Sequence, residues 1–404
     1  MKVGIYTSGL GQSFQEESVV KYATRLKNEM SYNKTGVSFE LKTEKISYAD
    51  KKESTVVSIL ENNETGQQTI YKLYEFKYNN ILTERYNNYN ILVKSLFLFI
   101  LVVKKFPLLL IRMFVPRSFN RPYQTTYLFF LFFIIAFAIL FMIPAGLGML
   151  TNFADTSVFK SFIVLVKQVL PFTAHWHINH AQMGVIAQYF VSITALLLIV
   201  VPQAKVIITA LATEFICANN YIELGAQSQE ILGNLDQLVE YIAEKERGVK
   251  IHYHAYSFGS LVIIDYLFPF GNVPSKNAQE LSEALITIGT PVEFVKAYYT
   301  DFYRDRNRTL EKNICWLNVY SIADALATNF RNDAKVGDAM FGISKDSLKP
   351  FNLNYEVTTL KKIGLFDFIF LYSIKAHGVY WDSATEGLSC LRIINNEINS
   401  RGLM

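Results

Sequence analysis

Cysteine, histidine and net charge are scarce in this chain. Its three cysteines among 404 residues, Cys217, Cys315 and Cys390, are odd in number and far apart. That spacing excludes a disulfide framework and a zinc cluster, and fits buried thiols in a reducing compartment. The formal net charge is only +4, with no long basic block, which argues against nucleic acid as a partner. There is no internal repeat, no low-complexity tract, and no signal peptide ahead of the strand-like MKVGIYT. The loop GLGQSF that follows puts Phe14 where a dinucleotide-binding loop needs its third glycine, so no nucleotide cofactor is expected. His175, His177 and His180 in AHWHINHAQ lack a local cysteine or carboxylate. They read as an interfacial aromatic and histidine loop, and neither metal nor other cofactor is expected.

Apolar residues, by contrast, are abundant: 51% of the chain, with 14% aromatic, concentrated in the middle third. Residues 127–150 and 183–203 are uncharged and long enough to span a bilayer, which takes about 20 residues. The stretch 91–115 is interrupted by Lys94, Lys104, Lys105 and Pro107, and reads as an interfacial or buried helix. SVFKSFIVLVKQVLPF, carrying Lys160 and Lys167, reads as amphipathic. Basic residues outside the two spans outnumber those between them. The positive-inside rule then puts both chain ends in the cytoplasm and 151–182 outside. Three segments follow: an N-terminal part at 1–88, a helical membrane insertion at 89–211, and a C-terminal part at 212–404.

The two flanking parts have α/β texture. MKVGIYT reads as a strand, ESVVKYATRLKNEM as a helix, and GVSFELKTEKISY and QQTIYKLYEFKY alternate like strands. Further on, residues 224–247 hold an amphipathic helix, VKIHYHAYS a strand and FGSLVIIDYLF a helix. ALITIGTPV and ICWLNVYS are strands, YEVTTL is a candidate strand, and WDSATEGLSCLRIINNEINS closes as a helix. The order predicts a mostly parallel sheet with helices on both faces. His252 and His254 alternate on the strand before Ser257 and are expected to share one sheet face.

Ser257 sits where that strand gives way to a helix, with small residues two positions to either side, Ala255 and Gly259. A nucleophile elbow needs this pattern, because its strained backbone leaves no room for larger neighbours. The helix start would aim the Phe258 N–H at a developing oxyanion. Asp324 lies just beyond ICWLNVYS, with Asp333 and Asp338 nearby as alternative acids, and His377 is the only histidine after the elbow. The order Ser, Asp, His is the chain order of this type of site.

HAYSFGS around the serine, ITIGTP on the next strand and AHGVYW around the histidine together resemble the lipases and esterases of the α/β-hydrolase superfamily. The resemblance covers residues 1–78 and about 212–400. It implies Ser257 as nucleophile, His377 as general base and acid, and Asp324 as the group that holds the imidazole. SGLG matches the family's His-Gly-x-Gly oxyanion loop, which makes the Leu10 N–H the second donor. Ser8 stands where the family has histidine, and Ala255-Tyr256 where Gly-His precedes the serine. The expected activity is that of a membrane-anchored serine hydrolase. It cleaves an acyl ester of a lipid or other membrane-borne substrate beside the bilayer. An acyltransferase using the same acyl-enzyme, and a catalytically silent hydrolase fold serving as a scaffold, remain alternatives. Oligomeric state is left open.

Overall fold

A computed structural model describes residues 1–10, 18–114, 189, 204–357 and 376–404, apart from 33, 35, 65, 90, 247, 272, 305, 307–313, 325, 332–334, 344–347 and 383. The chain divides into two compact units. One comprises Met1–Glu84, Leu108–Leu128 and Cys217–Met404, and the other Arg85–Pro107 and Phe129–Ile216.

The first unit is built on a nine-stranded sheet. Its strands are β1 (Lys2–Thr7), β2 (Ser38–Ala49), β3 (Lys52–Asn63), β4 (Gly66–Glu75), β5 (Ile251–Tyr256), β6 (Ser282–Ile288), β7 (Cys315–Tyr320), β8 (Gly337–Asp338) and β9 (Phe351–Asn354). The spatial order is β2-β3-β4-β1-β5-β6-β7-β9-β8. The run from β4 to β9 is parallel throughout, whereas β2–β3, β3–β4 and β8–β9 are antiparallel. The sheet is therefore mixed, where a mostly parallel one was expected. Two of the three antiparallel pairs come from β3, a strand between the two anticipated ones. It turns back at Asp50–Lys51, where Lys51 adopts φ 55, and again just before Gly66, at φ 127.

The central strands β1, β5 and β6 are almost entirely buried on both faces. Edge strand β2 alternates Glu and Lys along its exposed positions, which blunts pairing with a further chain. Helices α1 (Val19–Tyr32) and α9 (Leu391–Ser400) cover one face. Their Tyr22, Leu26, Leu391 and Ile394 share a core with Tyr6, Ile59, Leu73, Tyr256 and Val319. In the second half, α5 (Ser228–Lys245), α6 (Phe258–Leu267), α7 (Lys276–Leu281) and α8 (Val292–Tyr298) lie among the strands. Between the halves run α2 (Asn79–Asn87), α3 (Ile91–Phe114) and α4 (Ala204–Leu224). Strand β9 lies just before the candidate strand YEVTTL, of which 355–357 are outside any strand and 358–360 lie outside the described residues. The closing helix starts only at Leu391, because Trp381–Ser389 form a bridged loop.

The expected transmembrane insertion is not what the structure presents. Among the described residues no helix is long and apolar enough to cross a membrane. Helix α3 carries Lys94, Lys104, Lys105 and Arg112, and α4 carries Lys205, Glu214 and Glu223. These charges interrupt the uncharged length that a span requires. Lys94 and Lys105 are buried rather than interfacial. The integral-membrane location, and the cytoplasmic side inferred from it, are corrected accordingly. The stretches 127–150 and 183–203 lie outside the described residues apart from Tyr189, as do Lys160, Lys167, His175, His177 and His180.

A buried polar chain crosses the α1 face of the sheet. His252 Nε2 meets Glu283 Oε2 at 2.8 Å, and His252 Nδ1 meets the Tyr71 hydroxyl at 2.9 Å. That hydroxyl meets His254 Nε2 at 2.8 Å, and Tyr22 reaches His254 Nδ1 at 2.8 Å. Lys2 and His252 hold Glu283 ionised, with a pKa lowered to about 2. His252 must then donate to it from Nε2. The remaining protons follow in one direction, with Tyr71 donating to His252, His254 Nε2–H to Tyr71, and Tyr22 to His254. Both imidazoles are neutral, since burial lowers the pKa of each, and that of His254 most strongly.

This arrangement makes the fold acid-sensitive. A histidine whose pKa is depressed on folding takes up its proton more readily in the unfolded chain. Stability is therefore complete above the unfolded value of about 6.5 and falls as the pH drops below it. One such group costs on the order of 1 kcal/mol by pH 5.5. Thermal melts at pH 7.5 and 5.5 should show a clear fall for wild type. His254→Gln, which cannot titrate, should melt lower at pH 7.5 yet fall less. Equal falls in both proteins would refute this account.

Candidate active site

Strand β5 delivers Ser257 to the start of α6 in a backbone conformation of φ 51, ψ −125. Of the three described non-glycine residues with positive φ, Lys51 lies in a hairpin turn and Gln227 in the left-handed helical region. Ser257 combines positive φ with ψ −125, a sparsely populated conformation that costs about 1–3 kcal/mol. Its amide donates to Ile288 O at 2.8 Å, and its carbonyl accepts from the Ser260 hydroxyl. Ala255 is fully buried in β5. Gly259 faces the end of β1 so closely that an added Cβ would lie 2.5 Å from Ser8 O and 2.7 Å from Thr7 O. The glycine at 259 is thus required by backbone packed against backbone.

The structure brings Ser257, His377 and Asp324 together. Ser257 Oγ lies 2.6 Å from His377 Nε2, and His377 Nδ1 lies 2.7 Å from Asp324 Oδ2. With an ionised carboxylate as acceptor, Nδ1 carries the proton and Nε2 accepts from the serine hydroxyl. Ser257 is 6% exposed, His377 4% and Asp324 0%, so these bonds act in a poorly solvated site. Asp324 is a well-satisfied anion, accepting also from Leu326 N at 2.9 Å and from the Tyr380 hydroxyl at 2.8 Å. Of the alternative acids, Asp338 is exposed on β8, and Asp333 lies outside the described residues.

Leu10 is buried at the end of the Ser8–Leu10 loop, and Phe258 opens α6. The loop is fastened from α2 and the residue before it. Tyr78 donates to Ser8 O at 3.0 Å, and Asn79 Nδ2 donates to Ser8 Oγ and Gly9 O, both at 3.1 Å. Residues 11–17 lie outside the described residues, Phe14 among them. Tyr78 and Tyr221 also pack on Phe258, with ring centroids 6.1 and 5.6 Å away. Ser8 Oγ thus serves as an acceptor for Asn79, a use for the residue that stands in place of histidine.

Three residues of the site escaped the sequence reading. Tyr256 stacks on the His377 ring, centroids 5.6 Å apart at 18°, and donates its hydroxyl to the His377 carbonyl. Tyr380 holds Asp324. Gly289, at φ 60, faces the assembled side chains: a Cβ there would lie 2.9 Å from Tyr380, 3.2 Å from His377 and 3.3 Å from Asp324. The signal was present in ITIGTP and AHGVYW, but only as small and aromatic neighbours without known partners. Among the described residues no cluster of histidine, cysteine and carboxylate side chains has the makings of a metal site. No disulfide joins the three cysteines; Cys217 and Cys390 are buried and Cys315 half-buried.

Gly289→Ala tests this packing directly. Positive φ and crowding together should lower stability by about 1–3 kcal/mol in urea denaturation. An unchanged midpoint would mean that the space at Gly289 is not needed. No protein-family model, curated protein or solved structure matches the chain, so the site stands on its own geometry.

Proposed function

We propose that the chain is a serine hydrolase of carboxylic esters, an esterase of α/β-hydrolase type that works through an acyl-enzyme. The observation that carries this reading is the continuous line Ser257 Oγ, His377 Nε2, His377 Nδ1, Asp324 Oδ2 on a strained serine. A purely structural serine has no need of that backbone or of a fully buried carboxylate behind its histidine.

In the reaction, Ser257 Oγ attacks the ester carbonyl while His377 Nε2 takes its proton. Asp324 stabilises the resulting imidazolium and keeps the ring oriented. The carbonyl oxygen becomes an oxyanion, received by the N–H groups of Phe258 and Leu10. Collapse expels the alcohol, which takes the proton from His377 and leaves the acyl group on Ser257. Water, deprotonated by the same imidazole, attacks the acyl-enzyme, and the carboxylic acid departs with the serine restored. Phe258, Tyr78 and Tyr221 make the surroundings aromatic, which suits an apolar, lipid-like acyl group.

A fluorophosphonate probe and a series of p-nitrophenyl esters test this. Wild type should be labelled and should hydrolyse the esters. Ser257→Ala should lose labelling entirely, and His377→Ala should react about a thousandfold more slowly. Labelling that survives Ser257→Ala, or a wild type inert to probe and esters alike, would overturn the proposal.

A further inference from the structure

Asp324 Oδ2 is a shared acceptor. It takes the His377 Nδ1–H at 2.7 Å and the Tyr380 O–H at 2.8 Å, while the Tyr380 oxygen accepts from Ser321 N at 3.2 Å. Tyr380 lies three residues after His377, is fully buried, and is tied by its carbonyl to Cys390 N at 2.8 Å. The hydroxyl is thus fixed from the loop that carries the histidine and from the strand end that carries the aspartate. Two donors on one carboxylate oxygen share its charge, so what Tyr380 draws off is withheld from the imidazolium.

We propose that Tyr380 is a positioning residue of this site, which acts through Asp324 to set the pH above which His377 serves as a base. The inference rests on the esterase reading above and adds to it a residue and a regulated quantity. Tyr256 provides the contrast. It touches His377 through the backbone carbonyl and ring face. Those contacts orient the ring. The other titratable groups around the pair have partners of their own. Glu356, after β9, accepts from Ser321 Oγ, and Arg25 of α1 lies over Trp381 and donates to Asp382 O. Cys390 stands at the start of α9. Burial and the Asp324 charge push the Tyr380 hydroxyl well above its ordinary value, so it remains a donor throughout the working range.

The experiment is the pH profile of ester hydrolysis and of fluorophosphonate labelling, for wild type, Tyr380→Phe and Tyr256→Phe. Without the Tyr380 hydroxyl, Asp324 holds the imidazolium more strongly, and the acid limb should move upward by about 0.5–1 pH unit. Tyr256→Phe should lower the plateau and leave the limb in place. If Tyr380→Phe fails to fold, a ring-fluorinated tyrosine at this position keeps the hydroxyl and strengthens it as a donor, and the limb should move downward. A reactive wild type whose limb is unmoved by either change at Tyr380 would overturn the inference alone. An unreactive wild type would overturn the esterase reading and the inference with it.

Discussion

The hydrogen bond from the Ser257 amide to Ile288 O anchors a backbone conformation that serine otherwise avoids. Much of the site is built around that conformation. It turns β5 sharply into α6, which forces Gly259 against the end of β1 and leaves the Ser8–Leu10 loop beside the helix start. It also brings Ser257 next to the end of β6, so that Gly289 must leave room for His377, Asp324 and Tyr380. The strain of a few kcal/mol is sustained because parallel strands on both sides of β5 over-determine the position.

The histidine reaches the serine from the far end of the chain, and it is held there by aromatic residues. Tyr256 lies against the ring and binds its carbonyl, Trp381 packs on Tyr256 at 4.8 Å, and Arg25 sits over Trp381. Helix α1 supplies Arg25 and also Tyr22, which ends the buried His252–Tyr71–His254 chain on the same face. One helix therefore braces the histidine loop and closes a buried polar network. Each polar member is satisfied by another, as low-dielectric surroundings demand.

The elbow was legible because its requirements are local. Ala255, Ser257 and Gly259 stand within five residues, and strand and helix periodicity flank them. The order of Asp324 and His377 after the serine was legible for a similar reason: each follows a recognisable strand or loop. Tyr256, Tyr380, Gly289 and Asn79 were not, since their partners lie up to 121 residues away and any tyrosine or glycine reads the same alone. Strand β3 went unread because its partners on both sides are needed to see it as a strand. The helix at 91–115 was legible as interfacial or buried because its lysines break the uncharged length, whereas an apolar run by itself reports withdrawal from water and not the medium that replaces it. Lys94 and Lys105 are buried within such a run.

Sequence alone determined which residue types occur at the elbow, that strands and helices alternate, and that one histidine follows the serine. Those are matters of spacing, and spacing is a property of the chain. Which carboxylate meets His377, which hydroxyl shares it, and which glycine must stay bare were decided only when β5, β6 and β7 lay side by side. Sheet pairing sets those neighbours at distances of a few ångströms, and hydrogen bonding and steric exclusion act only at that range.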